Sequence, residues 1–175
     1  DLAKVSHEAG SLILPNPNAP TGIALPVEAI LEHARQHPQR LVVVDEAYVD
    51  FGAASCLPFI NELDNLMVVQ TLSKSRALAG LRVGFAFASP DLIEALERVK
   101  NSFNSYTVDR VAMAGAIAAI EDEAWFEANR AQVMKSRKTL SDALQNIGFE
   151  VLDSKANFLF VRHRSHDAAK LAQGL

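Results

Sequence analysis

The chain has 175 residues, 49% of them apolar, enough to bury a sizeable core and too many for a disordered segment. Its 17 basic and 21 acidic residues give a formal charge of −4 with no long run of either sign, which argues against a nucleic-acid partner. A lone Cys56 excludes a disulfide framework and a thiolate metal cluster, and with no signal peptide or apolar run of about 18 residues the chain reads as a cytosolic protein without a membrane partner.

In chain order, "SLILP" (Ser11–Pro15) is a short apolar run, followed by "NPNAPTG", whose X-Pro steps demand extended or turn conformations. A helix is expected from Pro26, with Val27, Ile30, Leu31 and Ala34 on its apolar face. "LVVVDEAYVDF" (Leu41–Phe51) opens as a buried strand and ends on an acid at Asp45. "NLMVVQT" (Asn65–Thr71) is the next strand; "LSKSRALAGL" is a polar loop, and "RVGFAFAS" (Arg82–Ser89) a third apolar run. Ser89 is placed to cap a helix reaching about Asn101, with Leu92, Leu96 and Val99 toward the core and Glu94–Arg98 as an i,i+4 pair. "VDRVAMAGAIAAIED" reads as an Ala-rich helix suited to close packing in the core or at an interface.

A long amphipathic helix over Glu123–Ile147 stops at Gly148, and two strands, "FEVLD" and "ANFLFVR", precede the start of a last helix. Alternating strands and helices predict an α/β fold with a mainly parallel sheet. Residues 1–122 are expected to form part of a large domain, residues 123–147 a connecting helix, and residues 148–175 the start of a smaller α/β domain. The abrupt ends read as those of an internal fragment.

Three segments carry chemistry. Asp45 sits where open α/β sheets collect ligands; the plain alternative is a solvated acid at a strand end. Four apolar residues before Asp-Glu also resemble the magnesium-binding strand of P-loop ATPases, but no GxxxxGK[ST] loop is present. Lys74 lies just past a strand, flanked by Ser73 and Ser75, with Thr71 before it and Arg82 after it. A lysine near other cations loses its proton more readily, which Schiff-base chemistry requires, while hydroxyls and an arginine suit a phosphate. Pyridoxal phosphate wants one partner for each of its groups: a lysine for the aldehyde, donors for the phosphate, a carboxylate for the pyridine nitrogen, and a donor for the ring hydroxyl. Lys74, then Thr71 with Ser73 and Arg82, then Asp45, then Tyr48 supply that set.

"NPNAPTG", "VVVDEAYVDF" and "TLSKSRALAGLRVGF", in this order, resemble the aspartate-aminotransferase-like (fold type I) pyridoxal-phosphate enzymes, nearest the histidinol-phosphate aminotransferase branch. The resemblance runs over essentially the whole chain. It implies that Lys74 holds the cofactor covalently and serves as general base, that Asp45 pairs with the pyridine nitrogen, and that Tyr48 bonds the ring hydroxyl. Thr71, Ser73 and Arg82 would hold the phosphate. Where many relatives carry an asparagine directly before Pro-Thr-Gly, this chain has Ala19, so Asn18 or Asn16 is expected to substitute, or Tyr48 to act alone.

The implied partners are a small-molecule amino donor and a 2-oxo acid, in a full-length homodimer. The alternatives within the superfamily are threonine-phosphate decarboxylase and an aromatic aminotransferase; outside it, a non-catalytic module that keeps the cofactor pocket. The isolated chain is expected to bind cofactor poorly and not to transaminate. Arg162, His163, Arg164 and His166 form a small basic cluster, either a phosphate contact or, more simply, a solvated strand end. The two histidines lack partners at metal-ligand spacing, Tyr106 has no local assignment, and Cys56 is most simply a packing residue.

Overall fold

A computed structural model describes residue 2 and residues 10–174. Apolar β-branched runs form the strands β1 (Leu12–Pro15), β2 (Val42–Asp45) and β3 (Leu66–Thr71), which lie side by side and parallel. The helix α1 (Val27–Gln36) links β1 to β2. β4 (Gly84–Phe87) completes a four-stranded sheet in the order β1-β2-β3-β4, but runs antiparallel to β3. Two of the three pairings are thus parallel, as a mainly parallel sheet requires.

Period-2 alternation sends Val42 and Val44 to one face of β2, where they pack with Leu14, Leu66 and Val68 against Ile30, Leu31 and Ala34 of α1. Both members of that layer read correctly from their spacing. Asn65 secures the other end of α1: its side-chain nitrogen lies within 3.0 Å of the carbonyl oxygens of Ala34, His37 and Arg40. Those carbonyls, near a helix C-terminus, would otherwise need water.

Past β4 come α2 (Pro90–Phe103), α3 (Arg110–Glu121) and α4 (Glu123–Asn146), then the antiparallel pair β5 (Phe149–Val151) and β6 (Val161–His163), and α5 (Ala168–Gln173). Asp109 and Asp122 cap α3 and α4, each accepting a backbone N–H from inside the first turn. Gly148, at φ +93°, turns the chain out of α4.

Several expectations need correction here. α2 has no buried residue: Leu96 and Val99, placed toward the core by their spacing, are exposed. Ser89 occupies the N-cap position without capping, because its hydroxyl donates instead to Asp64 O at 3.2 Å. On α3 only Ala112 and Ala116 are buried, packing with Leu72 and Val83, while Val111, Met113, Ile117 and Ile120 remain exposed. "ANFLFVR" forms a strand only from Val161, because residues 154–158 make a turn held by side chains.

That turn is fastened to the sheet side of the molecule. Ser154 accepts the Ala156 N–H and donates to Phe158 O, and Lys155 N–H donates to Gly22 O at 2.7 Å. Arg137 of α4 donates through one nitrogen to both Phe51 O and Ala156 O, at 2.8 and 2.6 Å. Burial lowers the pKa of this guanidinium, partly offset by Asp153. Gly22 is buried at φ +75°, and a Cβ there would lie 2.1 Å from Ser154 Oγ. Gly22→Ala is therefore expected to destabilise the fold by roughly 2–4 kcal/mol, from backbone strain plus overpacking. Urea unfolding monitored at Trp125 measures it; a loss under about half a kcal/mol would show that the turn yields freely.

Candidate active site

The register of the sheet builds the site. Pro15 pairs with Asp45 and Asp45 with Val69, so the C-terminal ends of β1, β2 and β3 share one edge. β4 pairs Gly84 with Thr71, and so Arg82, just ahead of β4, starts from that edge too. Each sequence-derived candidate thus leaves the sheet on one side, where open α/β sheets bind ligands.

Lys74 is exposed, and its Nζ stands 5.0 Å from the centroid of the Tyr48 ring. Phe158 meets the same ring edge-on, at 5.1 Å between centroids, so the phenol is held between a cation and an aromatic edge. The turn carrying Lys74 is closed by its own backbone: Leu72 N–H donates to Val83 O at 3.1 Å, and Leu78 N–H to Leu72 O at 3.0 Å. Within it, Thr71 Oγ1 accepts the Ser73 N–H at 3.1 Å and lies 2.9 Å from Ser73 Oγ, so the two hydroxyls are adjacent. Arg82 adopts a left-handed conformation at φ +55°, spends one N–H on Ala79 O at 3.0 Å, and leaves an exposed guanidinium.

Asp45 is exposed rather than held within the core. Its Oδ1 accepts the Ala47 N–H at 3.0 Å and so shapes the entry to the turn that carries Tyr48. Of the two asparagines considered for the position lost at Ala19, Asn16 is committed elsewhere. It is 1% exposed, and its amide both accepts from Leu25 N–H (2.7 Å) and lies 3.3 Å from Leu25 O. Asn18 is half-buried and donates to Thr21 Oγ1 at 2.7 Å. Both neighbouring X-Pro bonds, Asn16-Pro17 and Ala19-Pro20, are cis.

The buried acid of the motif is Glu46, which the sequence reading missed. It is 1% exposed and accepts from Ser55 Oγ (2.6 Å), Cys56 N–H (2.6 Å) and Gln70 Nε2 (2.9 Å). A signal existed: Glu46 shares parity with Val42 and Val44, the inward positions of β2. Glu46→Ala is expected to cost about 3 kcal/mol or more, because a hydroxyl, an N–H and an amide would lose a charged acceptor together. Thermal unfolding checks it, and a midpoint within a degree of wild type would show that water replaces the carboxylate. Cys56 beside it is fully buried, and burial, reinforced by Glu46, pushes its thiol up to about 12. A thiol so placed is a packing group, not a nucleophile.

The basic cluster is a solvated strand end. Arg164 and Arg162 both hydrogen-bond Glu150, whose carboxyl they hold below its usual range, and His163 meets the Phe149 ring edge-on and the His166 ring at a tilt. Among the described residues no group of His, Cys, Asp and Glu could hold a metal ion, and no helix is long and apolar enough to cross a membrane.

One strand edge thus gathers an exposed amine, a carboxylate, a phenol, paired hydroxyls and a guanidinium. The family model for aminotransferase class I and II matches residues 1–175. The chain belongs to the class I and II aminotransferase family. It is 58% identical, over its whole length and 50% of the relative, to histidinol-phosphate aminotransferase 1 of Bradyrhizobium diazoefficiens. A crystal structure of histidinol-phosphate aminotransferase from Sinorhizobium meliloti in complex with pyridoxal-5'-phosphate aligns at a TM-score of 0.82 and 28% identity, covering 94% of this chain and 45% of that one. The crystal structure of L-threonine-O-3-phosphate decarboxylase from Porphyromonas gingivalis aligns at 0.83 and 25% identity, covering 99% and 54%. The chain spans about half the length of the curated relatives it matches. As a member of that family it has the fold type I architecture, α/β with a mainly parallel sheet.

Proposed function

We propose that this chain carries the cofactor-binding residues of a pyridoxal-phosphate-dependent aminotransferase that exchanges an amino group between L-histidinol phosphate and 2-oxoglutarate in histidine biosynthesis. The observation that carries the reading is the placement of Lys74 against Tyr48 on the strand edge that also bears Asp45, Thr71, Ser73 and Arg82. The residues fit the cofactor group by group, since the exposed amine, carboxylate and guanidinium all leave the sheet on one side. Identities of 58%, 59% and 54% to curated histidinol-phosphate aminotransferases support this substrate.

Pyridoxal phosphate, when bound, supplies an electron-poor ring that delocalises the electron pair left as a Cα proton departs. Lys74 would hold the cofactor through its aldehyde carbon, and its Nζ, when not so engaged, would serve as the general base that moves a proton at the substrate Cα. Asp45 would pair with the ring nitrogen and favour its protonated form, which would maintain that electron deficiency. Tyr48 donates to the ring hydroxyl oxygen, with Asn18 as the second candidate donor. Thr71, Ser73 and Arg82 hold the phosphate, and the guanidinium supplies the charge. We read residues 1–122 as part of the large cofactor-binding domain, residues 123–147 as the connecting helix and residues 148–175 as the start of the small domain. The protein is proposed to work as a cytoplasmic homodimer with small-molecule partners only.

The test is a donor screen on the full-length protein loaded with cofactor, following its visible spectrum and the products. L-histidinol phosphate is expected to convert the bound cofactor to its amine form, and 2-oxoglutarate to restore it. Conversion by aromatic amino acids alone, or release of carbon dioxide from threonine phosphate, would replace this reading with one of its rivals. A cofactor that binds but responds to no donor would leave a binding module.

A further inference from the structure

Ser75 follows Lys74 directly in the chain and is 2% exposed. Its hydroxyl donates to Asp50 Oδ2, across a sequence separation of 25 residues. Asp50 belongs to the turn Val49–Phe51, whose N-cap residue is Tyr48. The two turns that present Lys74 and Tyr48 are therefore joined by a part-buried hydrogen bond.

The Asp50 side of this tether is fixed independently. Arg130 of α4 donates to Asp50 O at 3.2 Å, and the Gly52 and Ala53 N–H groups both donate to Val49 O. The Lys74 side is held more locally, by its own turn: Ala77 N–H donates to Lys74 O at 3.2 Å. Asp50 and Ser75 line a cavity of 420 Å³ together with Glu46, Gln70, Arg76 and Phe126; of the cofactor set Thr71 also lines it, whereas Lys74, Tyr48, Asp45 and Arg82 do not.

We propose that Asp50 and Ser75 are a positioning pair that sets the approach of Lys74 to Tyr48, and through it the rate at which Lys74 captures an aldehyde cofactor. The proposal rests on the cofactor reading above. A lysine side chain is long and rotatable, so its amine is aimed only as well as the backbone at its Cα is held. In capture, the Nζ lone pair attacks the aldehyde carbon and forms the C–N bond. The two amine protons pass to the carbonyl oxygen, which leaves as water, and a carbon–nitrogen double bond remains. That addition depends on orientation, which a loosened turn degrades.

The experiment adds pyridoxal 5'-phosphate to the full chain and quenches with borohydride at timed intervals. Peptide mapping then gives the rate of modification at Lys74, with exposed Lys138 as the internal reference. Wild type is expected to be labelled at Lys74 well before any other lysine; labelling at Lys138 or another lysine as fast as at Lys74 overturns the cofactor reading and this proposal with it. Ser75→Ala and Asp50→Ala are each expected to slow capture at Lys74 about tenfold while Lys138 is unchanged. The double variant should be no slower than either single one, since both remove the same bond. Ser75→Thr keeps the hydroxyl and should stay within about twofold of wild type.

Should the alanine variants not fold, Ser75→Cys, close in size but a weak donor, is expected to slow capture about threefold or more. With Lys74 labelled in wild type, the tether is overturned by Ser75→Ala capturing at the wild-type rate. It is equally overturned by additive slowing in the double variant, or by Ser75→Thr as slow as Ser75→Ala.

Discussion

Lys74→Ala is expected to abolish covalent retention of the cofactor and to lower turnover at least about a thousandfold. Two functions are lost together: the amine that holds the aldehyde carbon, and the base that moves the proton once substrate has taken its place. Lys74 is the lysine that stands over Tyr48, with its turn closed at Leu72 and Val83, so no other described lysine is built to replace it. Lys100 and Lys138 lie on α2 and α4, at places set by other contacts; Lys138, for example, pairs with Asp142. The measurement is single-turnover kinetics on the full-length protein, with dialysis to test retention. If a small amine such as ethylamine restores part of the rate, the base role is separated from the anchoring role. Turnover within about tenfold of wild type would remove Lys74 from the chemistry.

Asp45→Asn should retain cofactor while losing about a hundredfold or more in kcat, because an amide does not stabilise a protonated ring nitrogen. Since Asp45 is exposed in this structure, the effect depends on the bound ring covering the carboxylate. The backbone consequence is small, as an asparagine oxygen can still accept the Ala47 N–H. Stability and turnover are therefore expected to separate: an unfolding midpoint close to wild type beside a large loss in rate. Near-normal kcat would mean that Asp45 only shapes the turn toward Tyr48.

These residues were legible because strand-end chemistry is written locally. A short apolar run followed by a charge marks both the strand and the edge where it stops, which is how Asp45 and Lys74 come to be placed there. α1 was legible for the same reason, since its apolar spacing matched a face that the sheet covers. α2 was not. The spacing of Leu92, Leu96 and Val99 identifies an apolar side, but periodicity says nothing about what lies against it, and in this structure Leu96 and Val99 face outward. Glu46 was obscured by its neighbour: the first acid of the pair drew the chemical argument, while β-strand parity assigned the buried place to the second. The fastening of Arg137 to Phe51 O and Ala156 O joins segments far apart in the chain, and no local pattern announces such a bond. The Asp50–Ser75 bond and the Arg137 bonds depend on three-dimensional neighbours, whereas the proposed cofactor residues follow from where strands end.

The closure of the turn between β3 and β4 has a consequence for how this chain can vary. Leu72 is bonded to Val83 at the base of the turn, and the next pairing, Thr71 with Gly84, already belongs to the antiparallel ladder. A residue added or deleted between Lys74 and Arg82 must be taken up within the turn if the Leu72–Val83 bond is kept, because a one-position slip of β4 would turn Phe85 and Phe87 to the opposite face. The interval from lysine to arginine is thus constrained by the ladder at its base, independent of which substrate is used. Length differences among homologous chains should fall instead in exposed turns such as Asn61–Asp64, where no ladder counts residues on both sides.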